Sequence, residues 1–140
     1  MSEGLQDNGS NGAGTPEVPT LTWTSIFPRS TAVTLRVHDA VIYGRDGKEV
    51  FRLDGVSAPA GWDDTAITIA AEKYFIKRGI EAAPGRETSV VQMVDAVAST
   101  IRDSGVGQGY FATGADAMAF GADLTYLLRH QYGAFNSPVW

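Results

Sequence analysis

The chain has 140 residues, of which 44% are hydrophobic and 19% charged, and it carries a formal net charge of -5. This composition is typical of a soluble globular domain, and its acidic balance excludes the basic surface that non-specific binding to nucleic acid or an anionic membrane requires. No apolar run approaches the ~20 residues that span a bilayer, and the first residues lack the features of a signal peptide, so we expect a cytoplasmic protein.

The N-terminal residues 1–20 predict a disordered tail. They are mostly Gly, Asn, Ser, Thr, Pro and acidic residues. Such a segment cannot bury enough apolar area to offset the conformational entropy that ordering would cost.

Residues 21–60 predict a β-hairpin followed by a connector. Polar and apolar residues alternate over 32–37, and the apolar run 40–43 continues that strand. The segment 44–47 ends in Asp-Gly, which favours the positive φ angles of a tight hairpin turn. Residues 49–53 would form the return strand, and 54–60, which contain Gly55 and Pro59, would be the connector.

The stretch 61–135 predicts three helices. The first would run from its N-cap Asp63 to Arg78, before Gly79. The second begins with the clearest signal in the chain, a capping box formed by Ser89 and Gln92.

An apolar stripe then continues to Gly105, which we expect to end the second helix; its members are Val90, Met93, Val94, Val97 and Ile101. The glycine-rich loop 106–113 has no basic residue, which disfavours a phosphate-binding role. The last helix would extend from Ala115 to Tyr132, with Thr113 as its N-cap and Gly133 as its stop.

The final residues 136–140 predict a corner followed by a strand. Pro138 cannot continue a helix and favours an extended conformation at Ser137. Val139 and Trp140 would begin a strand, and two residues are too few to pair. We therefore expect the chain to be an unfinished part of a larger fold.

A family resemblance rests on four stretches in a fixed order. Leu127-Leu-Arg-His-Gln131 and Phe135-Asn-Ser-Pro-Val-Trp140 resemble the start of the catalytic barrel of the class II, adenosylcobalamin-dependent ribonucleotide reductases. Three upstream stretches resemble the N-terminal region of the same family. They are Gly61-Trp62 with Ala71–Phe75, Glu87–Val90 and Gly109-Tyr-Phe111. The similarity runs from about Arg36 to Trp140.

The resemblance implies a mainly α fold with a small N-terminal β-hairpin (α+β), a helical module that precedes a ten-stranded barrel. It implies that Ser137 contacts the ribonucleotide substrate, that adenosylcobalamin is the cofactor of the complete enzyme, and that the partner is the remainder of the catalytic polypeptide. No cofactor-binding residue can be assigned in this chain.

The absence of cysteine limits what the chain can do alone. The reductase family needs one cysteine as a thiyl radical and two more as reductants, and the chain contains none. We therefore expect no catalytic residue here and no activity without a partner. With only His38 and His130, a metal site is not expected either.

Several alternatives remain open at this stage. Ser137 could be an ordinary turn residue before a proline. His130 could act as a general base, although a cation in the last helical turn is favoured by the helix dipole for structural reasons. The chain could also be a non-enzymatic helical interaction module. The turn from Tyr43 to Lys48 superficially resembles an ATP-cone, a nucleotide-sensing domain, but lacks the paired basic residues expected before it.

Overall fold

The structure is a computed structural model that describes residues 20–27 and 32–136. Its elements are β1 (Leu35–Tyr43), β2 (Glu49–Pro59), α1 (Asp64–Ile69) with a π-helical turn (Ala70–Tyr74), α2 (Val90–Gly107) and α3 (Gly114–Arg129). This architecture confirms the predicted α+β fold. Nearly all of the predicted tail, residues 1–20, lies outside the described residues. In the described part of the chain, no helix is long and apolar enough to span a membrane.

The hairpin forms around the predicted turn. β1 and β2 pair antiparallel, and the amide of Gly44 donates to the carbonyl of Lys48 at 2.7 Å. Gly47 takes a φ of 75°, the left-handed conformation that an Asp-Gly turn favours. The alternation predicted for the return strand is confirmed, since Leu53 is buried whereas Val50 and Arg52 are exposed.

The predicted connector 54–60 is wrong, because β2 continues to Pro59. The register shifts by one residue at Asp54 and Gly55, and this β-bulge moves the inward positions from Leu53 to Val56. Gly55 takes a φ of 72°, and its amide donates to Asp39 Oδ1 at 2.8 Å. The bulge breaks the period of two that marks a strand in the sequence, so the second half of β2 has the appearance of a loop.

The first helix is shorter than predicted. Asp63 is its N-cap, as expected, and accepts a hydrogen bond from the amide of Ala66. The helix then widens into the π turn, where the amide of Phe75 donates to the carbonyl of Ala70. Phe75 has extended backbone and only 4% of its surface is exposed, so burial of this ring ends the helix and leaves Arg78 outside it.

The start of α2 confirms the capping roles of Ser89 and Gln92, although each side chain bonds an amide one residue away from the one in the standard capping box. Ser89 Oγ accepts from the amide of Val91, and Gln92 Oε1 accepts from the amide of Thr88. Gly105 does not end the helix, which continues to Gly107. A Cβ at Gly105 would lie 2.7 Å from Phe111 Cε2, so this glycine is needed for close approach and not as a stop.

The last helix begins at its predicted N-cap, Thr113, and ends at Arg129, three residues before the predicted end. The left-handed residue beyond it is Gln131, with a φ of 56°, and not Gly133. Gly133 instead leaves room for a side chain, because a Cβ there would lie 2.6 Å from Leu127 Cδ2.

The core lies where the inner face of the hairpin meets α1, the π turn, the N-terminal half of α2 and the end of α3. Partly buried side chains of α3 and Phe135 pack around it. Its buried side chains are Ala40, Leu53, Val56, Ala58, Trp62, Ile67, Ala70, Ala71, Phe75, Val90, Met93, Val94 and Leu128.

Residues 20–27 form a strap across α3, where a β-rich segment was expected. Leu21 pairs with the backbone on either side of Phe111, and the ring of Trp23 packs edge-on against Phe120 at 5.0 Å. The buried carboxylate of Asp123 holds the strap. It accepts hydrogen bonds from Trp23 Nε1 at 3.0 Å, from the amide of Ile26 at 3.0 Å and from the Ser25 hydroxyl.

Burial raises the pKa of Asp123, but the hydrogen bonds from the strap outweigh burial and hold its pKa below the ordinary value. The charged form is therefore favoured in the folded state. The stability that the carboxylate contributes is present above the unfolded-state pKa of about 4 and is lost as the pH falls through the lower folded-state pKa.

We predict that Gly105→Ala lowers the free energy of unfolding by about 1–3 kcal/mol, because the new methyl group overpacks against Phe111. Gly107→Ala is the matched control, since a Cβ at that position of the same helix meets nothing within 4 Å. Urea denaturation should show the control unchanged or stabilised by up to ~1 kcal/mol. Equal effects of the two substitutions would contradict the packing argument.

We also predict that Asp123→Asn destabilises the chain by about 2 kcal/mol at pH 7, because a charged acceptor of several buried hydrogen bonds is lost. Its stability should fall less steeply than that of the wild type as the pH drops below about 4. Asp103→Asn, at a carboxylate whose side chain is exposed, should stay within ~0.5 kcal/mol of the wild type. Thermal unfolding from pH 3 to 7 measures both effects, and parallel pH profiles for Asp123→Asn and the wild type would contradict the assignment.

Candidate functional site

The region of interest is the end of α3, because the predicted substrate contact follows it in sequence. Ser137 itself lies outside the described residues, as do residues 138–140. The structure describes the elements that hold the chain up to Asn136.

Trp62 joins the end of α3 to the hairpin. Its indole Nε1 donates to the carbonyl of Arg129 at 2.9 Å, so it satisfies one of the free carbonyls at the helix end. The backbone carbonyl of Trp62 accepts from Arg36 Nη2 of β1 at 2.7 Å. Trp62 is 8% exposed and belongs to the core, and both of its hydrogen bonds are partly buried.

Arg129 joins the same helix end to α2. Its Nη2 lies 2.6 Å from both carboxylate oxygens of Asp95, and its side chain is 12% exposed. One guanidinium nitrogen is thus shared between both carboxylate oxygens, and the Asp95 side chain that receives it is 47% exposed. The sequence analysis missed this pair, because Asp95 lies 34 residues away.

Four rings form a cluster beside the helix end. Tyr126 stacks on Phe27 of the strap with ring centroids 4.8 Å apart, and the His130 ring lies 4.1 Å from Tyr126. Tyr132 is stacked near both Phe27 and His130. His130 is exposed, and its ring lies against those of Tyr126 and Tyr132.

A cavity of about 340 Å³ opens between the hairpin and the helix end, lined in part by Thr34, Pro59, Trp62, Arg129 and His130. Its walls come from residues 32–34 before β1, from Pro59 to Trp62 at and after the end of β2, and from Arg129 and His130 at the end of α3. The cavity is large enough to receive a few side chains of a neighbouring polypeptide.

A second polar group lies at the start of α1. Arg36 Nη2 donates to Asp64 Oδ1 at 2.6 Å, and this hydrogen bond is the main reason that the pKa of Asp64 lies below its ordinary value. His38 Nε2 lies 3.0 Å from Thr68 Oγ1 and its Nδ1 lies 3.4 Å from Asp64 Oδ1. Because the charge of Arg36 is matched within the fold, the group serves to hold α1 on the hairpin.

The described residues do not fit a cobalamin. Within residues 20–27 and 32–136, no three His, Cys, Asp or Glu side chains come together as a metal site. The rings of His38 and His130 are engaged with Thr68 and with Tyr126. The cavity of about 830 Å³ beside Arg36 and Asp64 is a shallow, charged surface depression and gives no enclosed apolar site for a large macrocycle.

Comparison with known proteins identifies the family. A family profile described as "Class II vitamin B12-dependent ribonucleotide reductase" matches residues 36–131. This range begins at Arg36 and includes Trp62, Asp95 and Arg129. No solved structure matches the chain.

Individual relatives bear the description "Vitamin B12-dependent ribonucleotide reductase". The chain is 44% identical to that of Streptomyces coelicolor over 96 residues, which are 69% of this chain and 10% of the relative. It is 39% identical to that of Streptomyces clavuligerus, over 85% of this chain and 12% of the relative. For Rhodopirellula baltica the identity is 40%, over 79% of this chain and 10% of the relative.

The chain thus spans about a tenth of the length of the curated relatives it matches. The predicted resemblance is confirmed by the profile and by the relatives together. The chain belongs to the class II vitamin B12-dependent ribonucleotide reductases, and it corresponds to the N-terminal region of that family.

Proposed function

We propose that this chain is the N-terminal scaffold of a class II ribonucleotide reductase, which converts ribonucleotides to deoxyribonucleotides. Its task is to hold the segment around Ser137 in place, so that the serine hydroxyl contacts the substrate. The remainder of the catalytic polypeptide supplies the reacting cysteines and binds adenosylcobalamin. The chain alone is inactive, because it has no cysteine to form the thiyl radical.

The observation that carries this proposal is the anchoring of the chain immediately before Ser137. Trp62 and Asp95 fix Arg129 at the helix end, and Phe135 packs against the core. Ser137 follows Phe135 by two residues in the sequence, and two residues of extended chain span at most about 7 Å. A binding residue that follows a rigid anchor loses little conformational entropy when it engages a ligand.

The chemistry of the segment suits a ribonucleotide. A serine hydroxyl donates and accepts hydrogen bonds, and a ribonucleotide offers hydroxyl and phosphate partners for both roles. Pro138 restricts the backbone next to it.

The proposal is tested by reconstitution. The probe is the Streptomyces coelicolor relative expressed without the region that matches residues 36–131, mixed with the complete 140-residue chain and adenosylcobalamin. Formation of deoxyribonucleotide is expected only from the mixture. Activity from the chain alone, or no complex and no activity from the mixture, would contradict the proposed function.

Within the active mixture we predict that Ser137→Ala lowers kcat/KM by about 10- to 100-fold, the equivalent of one lost hydrogen bond to a charged group. Ser137→Thr keeps the hydroxyl and should retain activity within several-fold. Ser99→Ala is the control, because the Ser99 hydroxyl bonds only the carbonyl of Ala96 in its own helix. If Ser137→Ala behaves like Ser99→Ala, Ser137 does not contact the substrate.

A further inference from the structure

The outer edge of β1 is open. Among the described residues, β1 pairs only with β2, which makes a two-stranded sheet. The far side of β2 is partly engaged, since the amide of Ser57 donates to the carbonyl of Thr88. β1 has nine residues and contains neither the lysine nor the proline with which edge strands are commonly protected.

The outward side of β1 is apolar at both ends, with the exposed Asp39 between them. Leu35, Val37 and Tyr43 are 52%, 68% and 62% exposed, and they lie on the side that faces away from the core. Large apolar side chains spaced two residues apart on an edge strand are a surface that a further strand can cover.

A groove of about 600 Å³ runs along this edge. β1 lines the groove with residues from both faces of the strand, such as Val41 from the outward face and Ile42 from the inward face. No residue of β2 lines it. Side chains of both faces meet only along the edge of a strand, so the groove follows the edge of β1. Its far wall is α1, where Thr68 and the 46% exposed Ile69 line it.

We propose that the edge of β1 and the groove beside α1 bind an extended segment of the remaining reductase polypeptide, which adds a third strand to the hairpin. This inference rests on the proposed function, because it names the surface on which the two parts of that enzyme meet. The relatives are about ten times longer than the matched region, so most of their polypeptide is available as the occupant. Addition of a strand to an exposed sheet edge is a recurrent mode of polypeptide recognition.

The edge disfavours a second copy of this chain. Full antiparallel pairing of two β1 strands would place Asp39 opposite the Asp39 of the other copy, with Leu35 opposite Tyr43. Like charges directly opposite one another destabilise a sheet. The fitting partner is therefore a strand with apolar residues at alternate positions and no acidic residue opposite Asp39.

The test compares two double variants in binding to the same probe, the Streptomyces coelicolor relative without its matching region. Val37→Lys with Ile69→Lys alters the edge and its groove. Val50→Lys with Ile76→Lys is the control, at a valine and an isoleucine of similar exposure, 65% and 49%, that lie outside the edge and the groove. Both variants change the charge equally, and circular dichroism checks that both remain folded.

We predict that the edge variant raises the dissociation constant at least tenfold, whereas the dissociation constant of the control stays within threefold of the wild-type value. Hydrogen exchange should show that amides of 35–43 become more protected in the complex than those of 49–53. If the wild type binds the probe and the edge variant binds it as tightly, this inference alone is overturned. If the wild type forms no complex, the proposed function itself is wrong, and this inference with it.

Two other occupants give distinct results. A dimer of the isolated chain that the edge variant abolishes would mean that a second copy occupies the edge. Protection of 35–43 that is present in the isolated chain and lost when residues 1–19 are removed would assign the edge to the chain's own N-terminal segment. Either result would overturn the proposal.

Discussion

The fold depends on one buried connection, in which Trp62 bonds the end of α3 and Arg129 at that end bonds α2. The indole of Trp62 donates to the Arg129 carbonyl, the carbonyl of Trp62 accepts from Arg36, and Asp95 receives the Arg129 guanidinium. These bonds connect the hairpin, α2 and α3 at one place, in addition to the packing of the shared core. Without them, the Arg129 carbonyl at the helix end would need another hydrogen-bond partner.

Local rules predicted the parts of this fold that local chemistry decides. The Asp46-Gly47 turn and the caps at Asp63, Ser89 and Thr113 each depend on residues within a few positions, and each was confirmed. The predicted boundaries were wrong where tertiary packing decides. The bulge at Gly55 interrupts the alternation that marks β2 as a strand in the sequence, and burial of Phe75 ends α1 early. The ring of Phe111 packs so close to Gly105 that a glycine is needed there, within α2.

The predicted site also has a part that the sequence indicated and a part that depends on tertiary packing. Its family was visible in the sequence, because four short stretches occur in the family's order. The bonds that hold the end of α3 could not be predicted, because their partners are far apart in sequence. Trp62 and Arg129 are separated by 67 residues, and Asp95 and Arg129 by 34. The strap was missed for this reason too, because Asp123 binds residues about a hundred positions away. Ser137 remains a prediction outside the described residues.

The most direct measurement of this account is hydrogen exchange at the end of α3 in Trp62→Phe, which removes the bond to Arg129 and keeps an aromatic ring in the core. The amides of His130 and Tyr132 donate to the carbonyls of Tyr126 and Leu127 and report on this helix end. The account predicts that they exchange roughly tenfold faster in the variant, the equivalent of about 1.4 kcal/mol, while Ala117 at the start of α3 is unchanged. Equal exchange at His130 and Tyr132 in the variant and the wild type would show that Trp62 does not hold the end of α3.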